Sequence, residues 1–243
     1  MGLRERVMNI VADFLGDKVN GLYLKHDDEP GESYDFDGDQ DIIVYYDQEN
    51  PIYLDDIVDG KYMWNTGASK LAIIPREEDF VIKMPFTHTY DIDAEGLLHI
   101  FGETNYDIIC AEDNIYEEAS DEMKELLVPN KFIGMYCGIP IYIQKKVDII
   151  RDHCYSQYRE YLFPESNAAS KLVEYLLKKM YVPLDRGPLT FILHRLGIKK
   201  FRELMIEVDK IDDLHSNNWG FRKDGSIAIY DYAGFNTKEL FYN

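Results

Sequence analysis

Near the end of the chain, "DDLHSNNWGFRKDGSIAIYDYAGF" (Asp212 to Phe235) gathers carboxylates, two asparagines and a histidine around a strand-turn-strand pattern. Carboxylate and carboxamide oxygens are the donors that hard divalent cations take, and a positioned carboxylate can receive a proton from a hydroxyl. Asp213 and Asn218 stand five positions apart, and Asp231 follows thirteen residues later. Asp212 and Asn217 repeat the five-residue interval, so a register one residue earlier is also open. "WGF", the turn "RKDGS" and "IAIYD" predict a hairpin whose paired strands hold Asn218 and Asp231 close together. A merely solvated acidic hairpin is the plain alternative. His26 to Asp41 is a second acidic stretch, with Asp35, Asp37 and Asp39 spaced like the start of an EF-hand loop. Gln40 stands where that loop requires Gly, and Tyr46 where it requires a bidentate Glu, so a solvated loop is expected there.

The elements that must position these groups can be read from periodicity. Val7, Ile10, Val11 and Phe14 predict an amphipathic helix over residues 4–15. "DIIVYYD", "KYMW", "KLAII" and "DFVIKMPF" read as strands, and residues 87–104 as an insertion with hairpin character. Residues 108–127 return to helical spacing, and "KFIGMYCGIPIYIQKKV" reads as two strands joined at Cys137-Gly138. Beyond residue 148 the chain is mainly helical, with Leu172, Tyr175, Leu176 and Met180 on one face. A strand-rich first half and a helix-rich second half predict an α+β fold with a cleft between the halves. Three segments are expected: 1–56, an N-terminal helix with an acidic extension; 57–148, a strand-rich lobe; and 149–243, a helical lobe.

Composition narrows the function classes. With 46% hydrophobic residues, 19 Tyr and 12 Phe in 243 residues, the chain can bury a sizeable core. Acidic residues outnumber basic ones 45 to 26, a formal charge of -19. That balance argues against direct nucleic-acid binding, which needs clustered Lys and Arg, and suits a basic protein partner. Cys110, Cys137 and Cys154 lack C-x-x-C spacing, so neither a disulfide framework nor a zinc site is expected. Charges recur through the first 24 residues, which predicts neither a signal peptide nor a membrane span, and a cytoplasmic setting follows.

The block from Asp213 to Asp231 resembles the protein-kinase-like superfamily, which includes protein kinases and aminoglycoside phosphotransferases. Those enzymes carry a catalytic-loop Asp, an Asn five positions on, and a metal-binding Asp opening a DFG-type motif. "DLHSNN" looks like the small-molecule-kinase form of the loop, and "DYAG" like the DFG element. The resemblance implies ATP with Mg²⁺ in a two-lobed fold: a strand-rich N-lobe and a mainly helical, truncated C-lobe. It makes Asp213 the base, and Asn218 and Asp231 the metal ligands. "FVIK" is similar to the kinase lysine strand; by alternation Val81 and Lys83 share a face, against adenine and phosphates respectively. Glu112 is the implied partner of Lys83, with Glu117 and Glu118 as fallbacks. Gly67 and Ser69 of "NTGASK" take the place of the phosphate-covering turn, and Lys146 and Val147 that of the hinge to adenine.

The departures shape the expected activity. Ile211 and Asp212 replace the usual His and Arg before the catalytic Asp, and no G-x-G-x-x-G is present. Eight residues follow Phe235, so no activation segment or peptide-docking helices are expected, as in compact kinase-like proteins of bacterial and phage origin. The implied reaction is γ-phosphoryl transfer to a hydroxyl acceptor, a protein Ser/Thr or a small molecule. The competing class is an acidic pseudokinase that binds and inhibits a partner without turnover.

Overall fold

The computed structural model describes residues 1–25, 42–66, 69–101, 106–149, 199 and 218–232. The acidic loop from His26, Gly67, Asp213 and most of the expected helical lobe over 149–243 lie outside those residues, which include only Ile149, Lys199 and 218–232 of that lobe. What is described is a mixed α/β protein, rich in strands and with few helices, compatible with α+β. The chain divides into two compact units, Met1–Ile109 with Asn130–Lys145, and Cys110–Pro129 with Lys146–Asn243.

The first unit opens with α1 (Leu3–Leu15), which buries Val7, Val11, Phe14 and Leu15. That i, i+4, i+7, i+8 stripe is the apolar face of an amphipathic helix. Gly16 stops the helix at φ 74°, and its N–H returns to the Ala12 carbonyl at 2.9 Å. Asp13 accepts hydrogen bonds from Lys61 and from the Tyr62 hydroxyl (2.6 Å), which fastens the helix to the approach of the next sheet.

Two five-stranded sheets complete this unit. One is ordered β3-β2-β1-β7-β8, from β1 (Tyr23–Lys25), β2 (Ile42–Tyr45), β3 (Ile52–Tyr53), β7 (His88–Ile92) and β8 (Leu98–Phe101). A short helix, α2 (Leu54–Ile57), follows β3. The other sheet is ordered β4-β5-β6-β10-β9, from β4 (Met63–Thr66), β5 (Lys70–Ile74), β6 (Phe80–Pro85), β9 (Asn130–Tyr136) and β10 (Ile139–Lys145). Both sheets share one core with α1: Leu22, Leu24, Ile42 and Val44 from the first meet Leu71, Ile73, Ile82, Met84, Ile141 and Ile143 from the second. Residues 1–56 contribute α1 and β1–β3 to this unit. Thr87 stitches the sheets where the chain crosses: its hydroxyl accepts from the Leu22 N–H and donates to the Leu22 carbonyl, both at 2.9 Å.

The second unit contains α3 (Tyr106–Glu118) from Cys110 onward, α4 (Asp121–Lys124), and a sheet ordered β11-β12-β13. Its strands are β11 (Asp148–Ile149), β12 (Trp219–Phe221) and β13 (Ile227–Ile229). Lys124 folds α4 back on α3, donating to the Glu117 carbonyl at 2.9 Å with its ammonium 5.7 Å from the Tyr116 ring centroid.

The β7–β8 turn is held by one carboxylate. Asp93 accepts from the N–H groups of Glu95 (3.0 Å) and Leu97 (2.8 Å) and meets His99 Nε2 at 2.6 Å. The His99 contact, then the Leu97 amide, hold its carboxyl below the ordinary 3.8. A lowered native pKa gives stability that is present above the unfolded value and lost as pH falls through the native one. The protection factor of the Leu97 amide should therefore drop on acidification below about pH 4 in the wild type. In Asp93→Asn it should start low and show no such step.

Candidate functional site

In the first unit the candidate residues stand on β6, the middle strand of its sheet. Cross-strand register sets Ala72 beside Lys83 and Lys83 beside Tyr142, and pairs Val81 with Gln144. Directly opposed side chains share a face. Leu71, Ile73, Ile82, Met84 and Ile143 take the other face and belong to the core. The second face is thus a half-buried apolar strip, Ala72, Ile74 and Val81, bordered by buried Lys83, Tyr142 and Gln144. Lys83 is 5% exposed and Gln144 3% exposed. An ammonium leaves water at large cost unless other groups engage it. Ser69, also buried, lies where the β4–β5 turn re-enters β5, and its carbonyl accepts from the Phe86 N–H at 3.1 Å.

In the second unit Glu112 is fully buried on α3. Asn218 and Asp231 flank the β12–β13 hairpin. Trp219 pairs with Ile229, and one step beyond, the Tyr230 N–H donates to the Asn218 carbonyl at 2.9 Å. That register sets Asn218 and Asp231 at the same, open end of the hairpin. Asn218 is buried and Asp231 half-buried. The closed end is a turn in which Gly225 takes φ 79° and Asp224 accepts from the Ser226 N–H (2.9 Å) and hydroxyl (2.7 Å). Those Ser226 bonds hold the Asp224 carboxyl below its ordinary value.

Beside the hairpin runs the strap Leu126–Val128. The Ile229 N–H donates to the Leu126 carbonyl and the Val128 N–H to the Ile229 carbonyl, both at 2.9 Å. Arg222 Nη2 donates to the Leu126 and Leu127 carbonyls, each at 3.1 Å. Burial pulls its guanidinium below the ordinary value. Tyr232, next to Asp231, has no exposed surface and donates to the Val128 carbonyl at 3.4 Å. Burial, then the negative charges of Glu112 and Asp113, push its phenol far above the usual range, so it stays a neutral donor.

Lys146 and Val147, expected at a hinge, are half-buried between the end of β10 and β11. Among the described residues no three His, Cys, Asp or Glu side chains gather as a metal cage. The donors at issue are one carboxylate and one carboxamide oxygen, which suit Mg²⁺, a hard cation that keeps waters and few protein ligands. The reading from sequence passed over Tyr142, Gln144 and Arg222. Alternation along "YIQKKV" marks Tyr142 and Gln144 as sharing a face, but which face follows only from register with β6.

Gly220 lets β11 close on the hairpin. A Cβ there would stand 2.7 Å from Val147 Cγ2 and 2.8 Å from the Asp148 carbonyl oxygen. Gly220→Ala should therefore cost about 1–3 kcal/mol, the scale of overpacking, measurable by urea denaturation. Adding Val147→Ala should recover only part of it, because the backbone oxygen remains. Comparison of the chain with protein-family models and with curated proteins found no match to either.

Proposed function

We propose that this protein is an ATP- and Mg²⁺-dependent phosphotransferase with a two-lobed, protein-kinase-like fold and a truncated helical C-lobe. The supporting observation is what the protein buries. Among the described residues the buried polar or charged side chains are Ser69, Lys70, Lys83, Thr87, Glu112, Gln144 and Asn218. Ser69, Lys83, Glu112 and Asn218 are residues to which the resemblance to the protein-kinase-like superfamily assigns phosphate or metal chemistry. Lys and Glu are almost never fully buried unless something engages them, so a structural surface charge does not account for Lys83 or Glu112.

In this reading the Ala72, Ile74 and Val81 strip receives the adenine ring, with backbone groups of Lys146 and Val147 at its edge. Lys83 binds the α- and β-phosphates and Glu112 orients it. Asn218 and Asp231 hold Mg²⁺, which when bound neutralises charge on the β- and γ-phosphate oxygens. Asp213 accepts a hydrogen bond from the acceptor hydroxyl and takes its proton as the new O–P bond forms. The bond from the γ-phosphorus to its bridging oxygen breaks, and ADP leaves with that electron pair. The acceptor is a Ser/Thr hydroxyl of a protein; a small-molecule alcohol is the other substrate class that the chemistry serves.

Incubation with labelled ATP and Mg²⁺, alone and with cell lysate, tests this. Asp213→Ala and Asp231→Ala should each lower label transfer by on the order of 10²-fold or more. Absence of both transfer and Mg²⁺-dependent ATP binding in the wild type would sink the reading. Mg²⁺-dependent ATP binding without transfer would instead favour a non-catalytic role, to which the net charge of -19 gives a basic partner.

A further inference from the structure

Residues 110–129 lie between β8 and β9 in sequence, yet they group with the second unit rather than with the sheets that flank them. The contacts of the strap give the reason. Leu126–Val128 is bound to the hairpin by two backbone hydrogen bonds, which make a parallel bridge between Leu127 and Ile229. Arg222 adds two charge-assisted bonds from one nitrogen to consecutive carbonyls, and Tyr232 a third side-chain bond. Upstream, Lys124 ties α4 to the last turns of α3. Glu112 on α3 and Asp231 on the hairpin are both near enough to the Tyr232 phenol to disfavour its ionisation.

We infer that Arg222 is a positioning residue that latches the strap, and through it helix α3, to the β12–β13 hairpin, so that Glu112, Asn218 and Asp231 move as one body. Its consequence for catalysis rests on the phosphotransferase reading above: Glu112 keeps a fixed place relative to the two residues that would hold the metal. The latch itself does not depend on that reading. Arg suits the task because its planar fork places a donor between two successive carbonyls, whereas a Lys ammonium is a point charge on a flexible stem.

The test uses the full chain without nucleotide. Amide exchange is followed by NMR in the wild type, Arg222→Ala and Arg222→Lys. In Arg222→Ala the Val128 and Ile229 amides should exchange roughly tenfold faster or more, the factor expected when charge-assisted hydrogen bonds are lost. The Cys110–Glu118 part of α3 should quicken with them, while Ile82 and Ile143 of the other unit should not change. Arg222→Lys should give a smaller effect of the same pattern, and it carries the test should the alanine variant fail to fold. Unchanged exchange at Val128 and Ile229, or faster exchange there with α3 unaffected, overturns the latch. Where the wild type transfers phosphate, Arg222→Lys should raise the Mg²⁺ concentration for half-maximal transfer several-fold with little change in KM for ATP. An unchanged Mg²⁺ requirement would overturn the positioning role. A wild type without transfer sinks the phosphotransferase reading alone, because the exchange pattern still decides the latch.

Discussion

Strand β6 is paired on both edges, to β5 and to β10, so neither of its faces can be exchanged by a slip in register. One face is committed to the main core through Ile82 and Met84. A one-residue slip would put Lys83 into that core and Ile82 where Lys83 now stands. The hydrophobic load on the core side therefore enforces the presence of a buried ammonium on the other. The packing of its neighbours fixes the lysine's face, and α1, Thr87 and the sheet that contains β1 all serve that packing.

The second unit works by a different constraint. Its hairpin is short, three residues to a strand, and two strands alone are marginal in water. It gains its definition from β11 on one edge and the Leu126–Val128 strap on the other. Gly220 admits the first, and Arg222 and Tyr232 fasten the second. Glu112, Asp113 and Asp231 stand near enough to the buried Tyr232 phenol to oppose its ionisation, after the larger effect of burial.

How much of this was legible depends on how local the cause is. Helix α1 was readable because four apolar residues repeat at helical spacing, and the β9–β10 hairpin because Gly138 marks its turn, where Cys137 and Gly138 take φ 48° and 83°. The faces of β6 followed from strict alternation. Strands β1 and β3 are three and two residues long, too short for any period to emerge, and exist by pairing with β2 and β7. Residues 87–104 announced a hairpin but not the sheet it joins, because a parallel partner sixty-odd residues upstream leaves no local mark. Among the candidate residues, Lys83 was marked by its strand motif, and Asn218 and Asp231 by residue type and interval. Arg222 sits in a turn that reads as ordinary solvated sequence, and its partners are main-chain carbonyls, which no residue type encodes.

The placement of Cys110–Pro129 also bears on how the chain is made. Neither unit is a continuous piece of polypeptide: the chain leaves the first unit after Ile109, returns at Asn130, and leaves again after Lys145. When residue 109 emerges from the ribosome, β6 still has one naked edge, because β10 has not been synthesised. The first unit can close its sheet only after the whole α3–α4 segment has passed, and that segment finds its own partners about a hundred residues later still. The first unit has all its strands once Lys145 has emerged, whereas the second must wait for its hairpin.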